Sequence, residues 1–250
     1  MLTGTASPFD DFAWFYDRHW AAPFEQWQRP ALERLLFPKI PSGSTILDLC
    51  CGTGSLGRYL TALGYRLFGI DSSEGMLEIA RQNLPEARFM LADASDFAIE
   101  HCVDAATCFF DSLNNLLDSN CLQNAFHCVY SALAPSGVFV FDVNTGAAYG
   151  ERWNRSACEV LPDHAFFLRG GFDATSRIGH TQITTFRRQG EGWRRADSEL
   201  RQRPWEIAEV ERMLRSAGFN DVQPHRAQED LNMSGHYGIG RVYFCALKRG

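Results

Sequence analysis

The sequence predicts an α/β domain built on a doubly wound, mainly parallel seven-stranded sheet, preceded by an N-terminal helical cap and interrupted by an antiparallel β insertion. Three observations predict it. Short apolar runs alternate with amphipathic helical stretches from Ser44 to about Asn144, which demands a parallel sheet covered by helices on both faces. The period shifts towards two between about Ala157 and Arg203, as in a hairpin sheet. Ahead of both lies a helical stretch from Ser7 to about Pro41 that carries Trp14, Trp20 and Trp27, with Pro30 and Pro38 as expected breakers. The chain then divides into a cap (1–41), a core (42–155 and 204–250) and an insertion (156–203).

Each element has its own signal. Strands are expected at Thr45 to Leu49, Leu67 to Ile70, Arg88 to Leu91, Val103 to Phe109 and Val138 to Phe141. Helices are expected from Ser55 to about Leu63, from Ser73 to Asn83 and around Leu122 to Leu133. Within the insertion, Thr181 to Arg188 and Trp193 to Arg201 flank the turn Gln189-Gly190-Glu191-Gly192. Pro204 opens a helix, Glu206 to Ser216, which Gly218 stops; Val222 onward and Val242 to Leu247 close the sheet.

Composition narrows the function. With 24 Lys and Arg against 30 Asp and Glu the net charge is -6, a poor balance for nucleic acid, and the cluster Arg187, Arg188, Arg194, Arg195, Arg201 and Arg203 alternates with polar and acidic residues like a solvated strand surface. No apolar run approaches the roughly 20 residues needed to span a bilayer. The first residues lack a basic region followed by an apolar core, so no membrane partner and a cytoplasmic location are expected. The 8 cysteines contain no C-x-x-C pair and mostly lie among apolar neighbours, which suits reduced, packed thiols and no metal.

The chemistry concentrates where Ile46-Leu47-Asp48-Leu49-Cys50-Cys51-Gly52-Thr53-Gly54-Ser55-Leu56-Gly57 runs from an apolar strand through a glycine-rich turn into a helix. Glycines there let the backbone approach a ligand, and the helix offers its N-terminal amides. Read literally this is G-x-G-x-x-G, a pattern shared with nicotinamide-dependent oxidoreductases. Asp48 separates the readings, since a carboxylate so close would repel a pyrophosphate and favour a ligand bearing an ammonium and a sulfonium.

The segment Leu47 to Gly54 resembles the first motif of class I S-adenosylmethionine-dependent methyltransferases, which implies a Rossmann-like fold and S-adenosylmethionine as cofactor. In that resemblance Asp71, at the end of Gly69-Ile70-Asp71, accepts the ribose hydroxyls, and Ser72 and Met76 pack around ribose and adenine. Asp93 and Ala94, after the third strand, meet the adenine edge, while Cys51, Gly52 and Gly54 form the turn around the ligand. The segment around Phe109 and Phe110 passes beside the transferable methyl, with Asn114 near the acceptor. Phe15-Tyr16-Asp17-Arg18-His19-Trp20 is similar to the tyrosine cap of sugar amine and glycine N-methyltransferases, so Tyr16 is a candidate for covering the cofactor and for a catalytic role.

His236, in the glycine-rich Ser234 to Arg241 loop, is a candidate base, His19 a second, and Arg241 a candidate anchor for an acceptor carboxylate or phosphate. The resulting expectation is methyl transfer to a small-molecule acceptor, with nitrogen ahead of oxygen, by a monomer or homodimer whose insertion forms the acceptor pocket or a dimer contact. An oxidoreductase and a noncatalytic cofactor-binding protein are the rivals, and the acidic balance disfavours RNA as acceptor.

Overall fold

A computed structural model describes residues 7–250 of the chain, so the first six residues of the expected cap lie outside the described residues. Seven strands form one sheet in the order β10-β11-β5-β4-β1-β2-β3: β1 (Thr45–Leu49), β2 (Arg66–Asp71), β3 (Arg88–Leu91), β4 (Val103–Cys108), β5 (Leu133–Asn144), β10 (Asp221–Arg226) and β11 (Arg241–Leu247). The pairings β1 with β2, β2 with β3, β1 with β4 and β4 with β5 are parallel, and β11 runs antiparallel to both neighbours. The expected fold class is therefore the observed one. The order reverses between β1 and β4, and in such sheets the crevice beyond the strands' carboxyl ends at that switch is where ligands bind.

Helices α3 (Ser55–Ala62), α4 (Glu74–Asn83), α5 (Ser119–Ala132) and α7 (Ile207–Ala217) connect the strands. The sheet is buried on both faces. One side packs Leu47, Leu49, Phe126, Phe139, Phe141 and Leu214, and the other packs Ile46, Leu60, Ala105, Val140 and Tyr243 beneath the cap. Such two-sided burial is why these strands read as continuous apolar runs in the sequence.

The cap is helical as expected, through α1 (Ala13–Tyr16) and α2 (Ala22–Ala31), but Pro30 does not break it. The chain instead widens into π-type turns at Asp17–Ala21 and Leu32–Leu36, and the second follows Pro30 directly. The helix persists through Pro30 because the residues that follow it, Ala31, Leu32, Leu35 and Leu36, are packed into the core on this side of the sheet. Pro38 sits in a 3₁₀ turn, Phe37–Lys39, where the helix does end.

Between β5 and α7, after the short helix α6 (Gly146–Arg152), a second sheet rises as a meander: β6 (Ser156–Val160), β7 (His164–Asp173), β8 (Ile178–Gln189) and β9 (Gly192–Gln202). Alternate residues of β8, Gly179, Ile183 and Thr185, are buried, and Gln182 on the opposite face is exposed. The buried face meets the cap in a cluster of Phe12, Phe15, Phe166, Ile183 and the core residue Met76. Among the described residues no helix is long and apolar enough to cross a membrane.

Candidate active site

At the carboxyl end of β1 the backbone turns through three left-handed residues, Cys50 (φ 57°), Gly52 (φ 55°) and Gly54 (φ 78°), before α3 begins. The Tyr16 ring lies over this turn, 3.6 Å from where a Cβ on Gly52 would stand. Gly57 has a different reason to be glycine, because a Cβ there would sit 2.8 Å from Leu84 of the helix behind it.

Asp71 ends β2 beside that turn. One of its carboxylate oxygens accepts from the Gly52 amide at 2.8 Å and the other from the Ser73 amide at 2.9 Å. A carboxylate has about four acceptor sites, so each oxygen retains capacity for a ligand hydroxyl. Burial pushes its pKa up, and these amide bonds pull in the opposite direction.

Asp10, at the start of the cap, accepts from the Ser73 hydroxyl at 2.6 Å and from the Gly75 amide at 3.1 Å, at the positive N-terminus of α4. Asn83 ties the same regions together by donating to Asp17 at 3.1 Å and to the Thr53 carbonyl at 2.8 Å. The cap is thereby fixed over the glycine turn at both ends of α4.

A cleft of about 310 Å³ opens at this junction. The core contributes Gly52, Asp71, Ser72, Met76, Asp93 and Ala94 to its lining, and the insertion contributes Leu168, Thr181, Ile183 and Leu200. Tyr16, Phe24, Phe110 and Asp111 lie between the cap and β4. Eight of the residues proposed from the sequence (Tyr16, Gly52, Asp71, Ser72, Met76, Asp93, Ala94 and Phe110) thus line one cleft.

Asp48, Cys51 and Gly54 stand behind that lining. Asp48 is buried, accepts from the Thr107 hydroxyl at 2.9 Å and has its pKa pushed up to about 7 by desolvation, with the nearby Asp71 adding to it. Cys51 is buried against Gly69, and the same desolvation raises its thiol well above the ordinary range, which makes it a packing residue. The Tyr16 phenol is likewise held protonated, first by burial and then by Asp111, Asp71, Asp48 and Asp17. It offers a neutral hydroxyl and not a base.

Three expected acceptor-side residues are placed elsewhere. Asn114 is fully buried and spends its amide on structure, donating to the carbonyls of Asn144 at 2.9 Å and Arg203 at 2.7 Å and accepting from the Asn144 amide at 2.9 Å. Arg241 is buried and clamped between Asp142 and Asp111, 2.7 Å from the latter, so it has no free donor face for an acceptor anion. His236 lies in a short turn outside the lining, with Tyr237 lining the cleft in its stead, and its pKa is lowered by burial and by the charges of Arg155 and Arg152.

The sequence reading missed Asp111 and Gln202. Phe110 and Asp111 are consecutive non-glycine residues with left-handed backbone, φ 66° and 49°, a strain that surrounding contacts must hold. Those contacts are explicit: the Asp111 amide donates to Asp142 at 3.1 Å, and its carboxylate accepts from Arg241 at 2.7 Å and from Gln202 at 2.9 Å. Gln202 ends β9, so this bond joins the insertion to the core within the lining of the cleft. Nothing in local spacing couples residues 91 positions apart.

A family model described as a methyltransferase domain matches residues 46–137. Across most of its length the chain is similar to a Bacillus subtilis protein assigned as a methyltransferase, at 29% identity over 229 residues, 89% of this chain and 90% of that one. It is also similar to a dTDP-3-amino-3,6-dideoxy-alpha-D-glucopyranose N,N-dimethyltransferase of Streptomyces fradiae, at 30% identity over 56% of this chain and 57% of that one. Among solved structures, an S-adenosylmethionine-dependent methyltransferase from Clostridium acetobutylicum superposes with a TM-score of 0.79 at 24% identity, covering 98% of this chain and 100% of that one.

Proposed function

Because this chain is an S-adenosylmethionine-dependent methyltransferase of class I, we propose that it transfers the methyl group to the nitrogen of a small amine held between the cap and the insertion. The observation that carries the cofactor assignment is electrostatic. Asp48 and Asp71 are buried at adjacent strand ends, and among the described residues no cationic side chain forms an ion pair with either. Buried carboxylates need a partner, and a ligand carrying an ammonium and a sulfonium meets that need from the cleft. The preference for nitrogen is supported by the similarity to the sugar N,N-dimethyltransferase.

Bound S-adenosylmethionine supplies an electrophilic methyl on sulfur. Asp71 would hold the ribose hydroxyls, Met76 and Ala94 would face the adenine, and Gly52 would let the backbone come close; these roles are those the family resemblance implies, and they are supported by all four residues lining the cleft. Tyr16 covers the reacting end and excludes water. The Asp111 carboxylate, aimed by Gln202 and Arg241, attracts the amine into the cleft. Asp111 and Tyr16 would hold the neutral amine with its lone pair directed at the methyl that the bound cofactor would supply, and the proton released from the methylated amine would leave to solvent. Holding nitrogen, carbon and sulfur in line accounts for most of the acceleration such a displacement needs.

The test is calorimetric titration with S-adenosylhomocysteine and, separately, with NADH, followed by a methyl-transfer screen of amines and phenols. Micromolar binding of the sulfur compound alone and turnover of amines support the proposal. Turnover confined to phenols replaces nitrogen by oxygen, and binding of NADH alone removes the cofactor assignment.

A further inference from the structure

His19 and His164 meet edge to edge where the cap touches the insertion, with their Nε2 atoms 2.8 Å apart. His19 lies in the π-type turn three residues after Tyr16, and His164 opens β7, where it is 1% exposed. Each ring's other nitrogen faces a carboxylate: His164 Nδ1 is 2.7 Å from Asp163 and His19 Nδ1 is 3.3 Å from Glu159 of β6.

Proton counting relates the contacts of these four groups to their charge. Ionised carboxylates only accept, so both Nδ1 atoms carry hydrogens. The two Nε2 atoms then approach within bonding distance only if one hydrogen lies between them. Two imidazoles with three ring hydrogens carry one positive charge. Removing that proton leaves a neutral pair that keeps one N–H between the Nε2 atoms only by giving up the hydrogen bond to one of the carboxylates, and adding a second proton sets two N–H groups against each other. The contact is complete in the singly charged state alone.

Resting on the reading of the cap as the cover of the cofactor site, we propose that His19 and His164 are positioning residues that share one proton to hold Tyr16 closed over the cleft. Closure is then strongest at intermediate pH and loosens when both rings are charged. Other charged groups around the pair are fixed or pair elsewhere. Arg18 stands beside His19 on the cap, Arg187 of β8 lies over the Trp14 ring 4.2 Å away, and Arg194 of β9 binds Asp11 of the cap at 2.6 Å. Trp14 and Phe15 pack on the His164 ring at 5.0 and 5.8 Å, and Phe166 packs on His19 at 5.0 Å, so a phenylalanine in place of His164 keeps the packing and removes the shared proton.

The experiment is S-adenosylhomocysteine affinity from pH 5 to 9 for the wild-type chain, His164→Phe and Glu159→Gln, with thermal unfolding to confirm the folds. Titrations common to all three proteins cancel in the ratios of their dissociation constants. The expected result is that His164→Phe binds at least fivefold more weakly than wild type near pH 7, and that this ratio shrinks towards one at pH 5. Glu159→Gln, at a half-exposed side chain, changes the ratio in the same direction by less. A ratio that is constant across the range, or equal to one throughout, overturns the shared-proton role. Absence of binding by the wild type at every pH withdraws the cofactor reading and this proposal with it.

Discussion

Asp71 and Asp48 differ in what surrounds their carboxylates, and that difference assigns them separate tasks. Asp71 is oriented by two backbone amides and keeps free acceptor sites at the cleft. Replacing it with Ala should weaken S-adenosylhomocysteine binding by tenfold or more, in line with about 1.5–3 kcal/mol for hydrogen bonds to a charged group; calorimetry of the folded variant checks this. Asp48 acts through its charge, since its pKa of about 7 leaves it partly protonated near neutrality. An acid whose folded pKa is raised holds its proton until the pH climbs through that value, and a cationic ligand favours the ionised form. Affinity for S-adenosylmethionine should therefore rise as pH increases towards 7 and level off above it, and Asp48→Asn should flatten the profile. Tyr16, held protonated at every working pH, should show no basic limb of its own: Tyr16→Phe should lower turnover with the fold intact, measured by methyl transfer at saturating cofactor.

The elements that shape the cleft rest on the ion cluster at the ends of β4, β5 and β11. Asp142 on β5 is buried, its pKa raised to about 6 by desolvation despite Arg241, and Arg241 on β11 binds both Asp142 and Asp111. Removing one partner of such a buried pair typically costs about 3–5 kcal/mol, because it strands a charge. Arg241→Met should lower the melting temperature by many degrees and release the strained Phe110-Asp111 turn, whereas a variant of an exposed arginine such as Arg195 should leave the melting temperature nearly unchanged.

This cluster also marks how far the sequence was legible. The β1 turn, Asp71 and Asp93 were readable because strand, glycine and acid are contiguous in the chain. Asp111, Gln202 and the true task of Arg241 were not, because their meaning lies in contacts across 91 and 130 positions. Asn114 was misassigned for the same reason: its partners Asn144 and Arg203 lie on other segments. Pro30 misled because its local rule was overruled by a helix face packed on the sheet.

At the scale of the whole molecule the cleft belongs to no single layer: the core and the insertion both line it, and the cap contributes the cover. Phe12, Phe15, Phe166, Ile183 and Met76 join the three in one apolar cluster separate from the two flanking the sheet. A small cluster between layers is the part of a fold that opens at the lowest free energy, so the cap should exchange its amides faster than the sheet. A ligand enclosed by all three layers ties them together, and at 100 times its dissociation constant it stabilises the closed form by about 2.7 kcal/mol. Saturating S-adenosylhomocysteine should accordingly slow hydrogen exchange in residues 12–20 and 164–168 together, although they lie on different layers. Phe166→Ala removes the side chain that bridges them, where Trp20 packs at 4.8 Å, and should uncouple that joint protection while the sheet strands keep theirs. If the two segments stay protected together in the variant, closure is carried by the polar contacts between cap and α4, Asp10 with Ser73 and Gly75, and the apolar cluster is only filling.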